Sequence, residues 1–503
     1  MRNYSEAEIR DVVVIGHGGS GKTSLGEAIL FDAKLVTRLG RVDDETSNLD
    51  SEPEEKKRKG TINPHVSAIE WQKSKLNLID TSGQGDFIVD TMIALGAADC
   101  ALCVLSASDG VQVYTEKTWE AADNLHMPRF VFVNKMDRER ADFDAVLDQV
   151  RRVLSPSAVA LQLPIGSEGS FEGVVDLVTQ KAYRFSEDGR DVLVGEVPGA
   201  MVASVTEARN KIIEEVAGSD DELMSIYFDA GTLTDEELQV GLQRAIAAGK
   251  LFPVFCGSAS QNRGVQPLLD AMVSLLPAAS LGRTRTGIGK SGGEVRRSPK
   301  SSEPLSAFVF KVIPSDVGRL ALVRIVSGKI TADSPIWNSS HDKGERVGQL
   351  YVFTPGKRTG VPEAHAGDIV GLAKLKLTRI GDTFSDEKDL VKFAPPQIPA
   401  PVVRYSLHIK GKTDEAKLAQ KLHDLHEEDL ALSIEYDAAT KETLIGGCGP
   451  VHIEATLDKL RRAGVEVDLA PPRIPYLETI RGRAKNVEGK HKKQTGGKGQ
   501  YGV

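Results

Sequence analysis

A multidomain α/β protein is predicted, opening with a doubly wound, mostly parallel sheet. Short apolar runs of strand length alternate with helical patterns in the first part of the chain. The pattern then changes twice, first to short strands between turns and later to a strand–helix–strand order. With 503 residues and 40% apolar content the chain can build several cores, and three or four domains are expected.

The first rhythm is read in order. DVVVIG is a strand and GKTSLGEAILF the helix after it. VSAIEW and KLNLIDT are strands, and DFIVDTMIALGAAD is helical. CALCVLSA, VQVYTEKTWEAADNL and RFVFVNK repeat the scheme. LFPVFCGSA reads as the last strand, closed by a helix from near Val265, which sets the first domain at residues 1–280. Residues of about 163–250 interrupt it with strand-rich GSFEGVVDLVTQKAYRF and then helices, where Thr234 and Glu237 form a capping box. So long a stretch is expected to be an insertion with its own core, not a loop.

Gly, Ser and basic residues crowd 281–303, which reads as a linker. Residues 304–394 hold SAFVFKVI, GRLALVRIVSG, ERVGQLYVF and AGDIVGLAKL without helical period, so a closed β-barrel is expected. Beyond PPQIPAP, residues 400–474 read strand, helix, strand, strand, helix, strand, the order of a split β-α-β sandwich. A further α+β unit begins at 475–503, and HKKQTGGKGQYGV would leave a strand or loop unpartnered, so that unit is expected to be incomplete.

Formal net charge is −8, but residues 481–503 carry seven Lys or Arg against the single acid Glu488, a tail of +6 on a body of −14. Such a segment is either a phosphate-backbone contact or a solvated end. Cys100 and Cys103 form C-x-x-C inside an apolar strand with no second pair nearby, and none of the ten histidines is spaced for zinc. Without a membrane-length apolar run or a secretion signal, the chain reads as soluble and cytosolic.

Chemistry concentrates in loops after the strands. GHGGSGKT, residues 16–23, fits G-x-x-x-x-G-K-[ST] between a strand and a helix. Gly16, Gly18, Gly19 and Gly21, with His17 and Ser20 among them, let backbone N–H groups curl round phosphate oxygens. Lys22 can reach the β- and γ-phosphates, and Thr23 can ligate magnesium. In DTSGQGDF, Asp80 can hold magnesium through water, the Gly83 amide can face the γ-phosphate, and Gln84 can place a water. In NKMD, Asp137 can accept both hydrogens from N1 and the 2-amino group of guanine, a pair adenine lacks. Lys135 can lie across the ring, Asn134 can tie this loop to the phosphate loop, and the Ser258 and Ala259 amides can meet the guanine oxygen. The set predicts GTP or GDP with Mg²⁺.

Residues 34–60 are polar and aperiodic. They read either as a cover that brings Thr61 over magnesium in the GTP state, or as a solvated loop. Arg58 and the lysines beside it read as finger-like catalysts or as contacts for ribosomal or membrane phosphates.

Together, GHGGSGKT, RKGTI, DTSGQGDF, NKMD and CGSA resemble the G domain of translational GTPases, nearest to elongation factor G and its elongation factor G-like paralogues. The resemblance continues in FCGSASQNRGVQPLLDAMVSLLPA, AGDIVGLAKL, GDTFSDE and LIGGCGPVHIEATLDKLRR, and so spans essentially the whole chain. It implies five domains, with 400–474 ferredoxin-like and the chain stopping within the fourth. It implies Lys22, Thr61 and Gln84 in GTP hydrolysis, coupled on the ribosome to movement of tRNA and mRNA. TGGKGQYG resembles the loop at the fourth domain's tip, so Lys492, Lys493 and Lys498 would lie against RNA backbone. A cytoplasmic monomer with the ribosome as partner and no membrane is implied.

Three departures from the family stand out. Gln84 replaces histidine, Gly19 replaces an acid, and Ser82 and Gly85 replace proline and valine, which predicts a looser turn and altered activation. Three classes stay open: a ribosome-stimulated GTPase, a ribosome-binding factor for stress, recycling or protection, and a GTP-regulated scaffold outside translation. Stimulated phosphate release, co-sedimentation without stimulation, and no ribosome association separate them.

Overall fold

The computed structural model describes residues 2–315, 318–410, 415–493, 497 and 500–502. Five strands set the first unit: β1 (Ile9–Ile15), β2 (His65–Trp71), β3 (Ser74–Asp80), β4 (Cys100–Ser106) and β5 (Arg129–Asn134). The seven-stranded sheet runs β2-β3-β1-β4-β5, then Phe252–Cys256, then Ala158–Ala160. Only β2 is antiparallel to its neighbour. β3 and β4 are buried at every position, as their apolar runs require when helices cover both faces. The edge strand Ala158–Ala160 was not read from the sequence, because three residues carry no period.

Because β1, β3, β5 and Phe252–Cys256 run parallel, their C-terminal ends deliver Gly16, Asp80, Asn134 and Ser258 to one edge of the sheet. The helix α1 (Lys22–Asp32) starts directly from the loop after β1, and α2 (Pro53–Arg58) lies in the polar stretch before β2. Cys100 and Cys103 are buried on β4, and burial pushes the Cys103 thiol up to about 12 and the Cys100 thiol well above its ordinary value, so both are inert side chains of the core.

In the 163–250 region, Gln162–Ile165, Gly173–Asp176, Lys181–Phe185 and Val192–Gly195 form a four-stranded antiparallel sheet. The helices Val202–Ser219, Asp221–Ala230 and Asp235–Ala247 follow, and Thr234 and Glu237 form the expected capping box. The stretch read as a linker is structured. Arg285–Gly289 and Glu294–Arg297 pair as a hairpin and join Val391–Phe393. Two of its arginines are spent internally: Arg297 pairs with Asp389 at 2.8 Å, and Arg283 donates to the Leu95 and Ala98 carbonyls.

An eight-stranded antiparallel sheet follows, from Lys343–Arg346 at one end to Lys357–Val361 at the other. The next unit is a βαββαβ sheet whose strands lie in the order Ser433–Asp437, Glu442–Gly447, Val403–Ile409, Val467–Ala470. Its helices are Glu415–Glu428 and Pro450–Arg462. His452 is buried, with Nε2 2.7 Å from Asp429 and Nδ1 accepting from the Cys448 amide. His491–Lys493 and Gln500–Gly502 pair as antiparallel strands. Among the described residues, no helix is long and apolar enough to cross a membrane.

The first unit and the eight-stranded sheet meet through buried charge. Arg324 donates to Asp11 and, at 2.5 Å, to Asp99. Lys75 pairs with Asp368 at 2.6 Å, and Lys311 with Asp90 at 2.6 Å.

Candidate functional site

The loops at the sheet edge enclose a cavity of about 420 Å³. Of the residues singled out by sequence, Gly18, Gly19, Gly21, Lys22, Thr23, Thr61, Gly83, Gln84, Asn134, Lys135 and Ala259 line it. Gly16, His17, Ser20, Asp80, Asp137 and Ser258 stand outside that lining, within the same loops or at the strand ends. Residues 39–44, Lys59 and Gly60, from the stretch read as a cover or a solvated loop, also line it, as does Ser82, while Ser24, Thr81, Arg138 and Ser260 line it and were not anticipated. Lys498 lies outside the described residues, and Lys492 is exposed on the strand His491–Lys493, apart from the cavity.

The phosphate loop is held tightly. Gly21 has φ 92°, and a side chain there would run into the Asn134 amide, so glycine is required. Asn134 Nδ2 donates to Ser20 O at 3.0 Å while Oδ1 accepts from the Ala259 amide at 2.9 Å, which gives it the tying role read from sequence. The Ser258 amide donates to Arg263 O. Both amides expected to meet a guanine oxygen therefore already have acceptors, and only a shared, three-centre bond leaves them for a base. His17 does not enter the cavity. Its ring packs on Tyr114 with centroids 5.6 Å apart.

At the cavity floor, Lys22 Nζ donates to His17 O at 3.0 Å, and burial pulls its pKa down to about 8 against the pull of Asp80. Thr23 Oγ1 and Thr61 Oγ1 lie 2.8 Å apart. Thr61 also donates to Asp50 Oδ1 at 2.8 Å. Asp80 is fully buried, and neither of its carboxylate oxygens has a well-formed hydrogen bond. Burial pushes Asp80 up to about 6, eased by Lys22 and Thr23. Asp50 rises to about 7 through burial and then through Asp80 and Glu55. Two carboxylates that resist ionisation beside two hydroxyl oxygens suit a hard divalent cation, whose oxygen ligands these are.

Asp50, Glu55 and His65 also place ligand atoms within 4.8 Å of one another. Glu55 is already saturated, since it pairs with His65 Nε2 at 2.8 and 2.9 Å and accepts the Ile62 and Asn63 amides. Burial opposes protonation of His65, but Glu55 outweighs it and raises the ring to about 9. A folded pKa above the unfolded value of about 6.5 stabilises fully below pH 6.5, and that contribution is lost as pH rises through 9. An NMR titration of the His65 ring is expected to show its midpoint near 9. A midpoint at or below about 6.5 would mean that the Glu55 pair does not form in solution.

The turn after β3 is not loose. Ser82 Oγ accepts the Gln84 amide at 3.3 Å. A side chain at Gly85 would occupy the Tyr114 hydroxyl, so the absence of a valine there has a local cause. Gln84 is exposed, with its Cγ 3.6 Å from where a Gly18 side chain would begin and its Nε2 3.6 Å from the same point at Gly60. It thus bridges the phosphate loop and the residue before Thr61. Arg58 instead faces the helix Pro450–Arg462, 3.4 Å from Glu454 and 3.5 Å from Asp458, which removes it from the cavity.

At the other end of the cavity, Lys135 holds φ 66°, a strained conformation for a residue with a side chain. Asp137 Oδ1 is buried without a partner, and its other oxygen is 3.8 Å from Arg138.

Residues 7–278 match the model of the elongation factor Tu GTP-binding domain, more than half of the chain. Residues 304–387 match elongation factor G domain 2, and 398–471 match elongation factor G domain III. The chain belongs to the elongation factor G and elongation factor G-like family of translational GTPases. A crystal structure of a protein from Thermus thermophilus is 34% identical, with a TM-score of 0.87 over 99% of this chain and 72% of that one. The cavity just described lies within the stretch that matches the GTP-binding domain.

Proposed function

We propose that this GTPase binds Mg-GTP in the cavity, hydrolyses it to GDP and phosphate on the ribosome, and couples that to translation elongation or translocation. The observation that carries the reading is Asp80, buried with both oxygens short of partners beside the Thr23–Thr61 hydroxyl pair. A divalent cation held by Thr23 and Thr61, with Asp80 behind it, would neutralise charge developing on the phosphate oxygens. Lys22 brings a second positive charge to the same oxygens. Gln84, poised between Gly18 and Gly60, can both donate to and accept from an attacking water. Asp137 takes the guanine edge and Lys135 its face, while Asn134 keeps the two loops in register.

In this reading the G domain is 1–280 with its insertion at about 163–250, and 304–394 is a barrel. Residues 400–474 are ferredoxin-like, and 475–503 begin a fourth domain. Lys492, Lys493 and Lys498 then approach RNA in the tRNA–mRNA region.

Phosphate release measured with and without ribosomes tests the proposal, and stimulation by ribosomes is the expected result. Nucleotide-dependent co-sedimentation without stimulation would replace it with a switched ribosome-binding factor. Gln84→Ala is expected to lower turnover about 10²-fold while GTP affinity stays near wild type, because the contact to water forms in the transition state. Equal losses in affinity and turnover would remove Gln84 from that role.

A further inference from the structure

We propose that Asp50 is the positioning residue that presents Thr61 to the divalent ion, so that closure of the 34–60 segment depends on the ion and the triphosphate together. The inference rests on the Mg-GTP reading of the cavity and assigns a task to a residue outside it.

The chemistry follows from one proton. A threonine hydroxyl that gives its oxygen to a cation must direct its hydrogen away, towards an acceptor. Thr61 Oγ1 lies 2.8 Å from Thr23 Oγ1 and donates to Asp50 Oδ1 at 2.8 Å. With its hydrogen on Asp50, the Thr61 oxygen keeps its lone pairs for the side facing Thr23. An acceptor of this kind fixes a ligand's orientation and raises its basicity.

Asp50 is itself a built feature. It is 2% exposed, and its Oδ2 is buried without a partner. Its amide donates to Ser47 Oγ at 3.0 Å. Glu27, fully buried on α1, accepts from Ser47 Oγ at 2.9 Å, from the Leu49 amide at 2.9 Å and from Asn48 through both amide groups. The helix that starts from the phosphate loop thus fastens the segment just ahead of Asp50. On the far side of Thr61, Glu55 holds the Ile62 and Asn63 amides. Backbone is anchored before and after, and Asp50 is the carboxylate that accepts from the hydroxyl, across from Thr23. Its second oxygen is buried without a partner, and would accept from a water beside the ion.

The test uses the full chain with fluorescent GTP and GDP analogues, a magnesium titration, and trypsin cleavage at Lys56, Lys57, Arg58 and Lys59. Asp50→Ala is expected to raise the magnesium needed for half-maximal GTP-analogue binding roughly 10- to 100-fold, the usual cost of losing such a partner. Binding of the GDP analogue should be unchanged, since Thr61 closes only on the triphosphate. Protection of the trypsin sites by Mg-GTP should be lost in Asp50→Ala and partly restored in Asp50→Asn, which keeps an acceptor oxygen. Wild-type magnesium dependence with full protection in Asp50→Ala would overturn the inference. So would equal weakening of GTP and GDP binding, the mark of a purely structural role. GTP binding to the wild-type chain that ignores magnesium would instead sink the underlying reading of the ion site.

Discussion

Asp137→Asn is expected to weaken binding of GTP and GDP about 100- to 1000-fold while leaving the fold intact. Asp137 Oδ1 is buried and unpartnered, and its other oxygen has only a 3.8 Å approach to the exposed Arg138, so the carboxylate has little structural work in the free protein. Against guanine it would accept two hydrogen bonds from one charged group, each worth about 1.5–3 kcal/mol. The amide keeps one acceptor oxygen but turns an N–H group towards a guanine donor, so one bond is lost and a repulsion replaces it. About 3–4 kcal/mol follows, which is the stated range in Kd. Xanthine carries an oxygen where guanine has its amino group. Xanthosine diphosphate should therefore bind Asp137→Asn better than GDP does. Calorimetric titration of both nucleotides against wild type and variant checks the prediction. Undiminished GDP affinity would place the base elsewhere.

What the sequence disclosed is what repeats or what must stand at a strand end. The phosphate loop, Asp80 and NKMD were legible because each needs particular residue types after an apolar strand, and the parallel sheet gathers them without further information. The 281–303 hairpin was hidden because Gly, Ser and Arg mark linkers and tight hairpins alike. Its arginines find partners near Asp389 and Leu95, about ninety or more residues away in sequence. Asp50 and Glu27 escaped for a related reason. An acid in an aperiodic loop reads as solvated. The one available signal was Glu27 itself, a charge set against Ala28, Ile29 and Leu30 on a helix whose residues are mostly buried. Tyr114 could not be foreseen either. Its hydroxyl explains Gly85 only once the helix Val113–Asn124 is seen to pack beside the turn.

Arg324→Met is expected to destabilise the chain by about 3–5 kcal/mol, because it leaves two carboxylates buried without their counter-charge. Arg324 is 3% exposed and Asp11 is fully buried, and Asn77, which donates to Asp11 at 2.7 Å, cannot supply the missing charge. The cost falls on the junction of the first sheet with the eight-stranded sheet, so the expected signs are a lower denaturant midpoint and faster hydrogen exchange on both sides of it. Replacing both acids as well, in Asp11→Asn/Asp99→Asn/Arg324→Met, removes the buried charge altogether. That triple variant should recover most of the loss, since breaking one partner of such a cluster costs more than removing all of it. Nucleotide affinity supplies the discriminating control. Asp11 and Gly16 are five residues apart along β1, about 17 Å at the rise of a strand, and the strand between them is held on both sides by β3 and β4. GDP affinity in the folded Arg324→Met variant should accordingly match wild type. A wild-type denaturant midpoint in the single variant would show that the junction relaxes enough to hydrate both acids. Lost nucleotide affinity at wild-type stability would instead make Arg324 part of the coupling between the two sheets, with β1 as the connecting element.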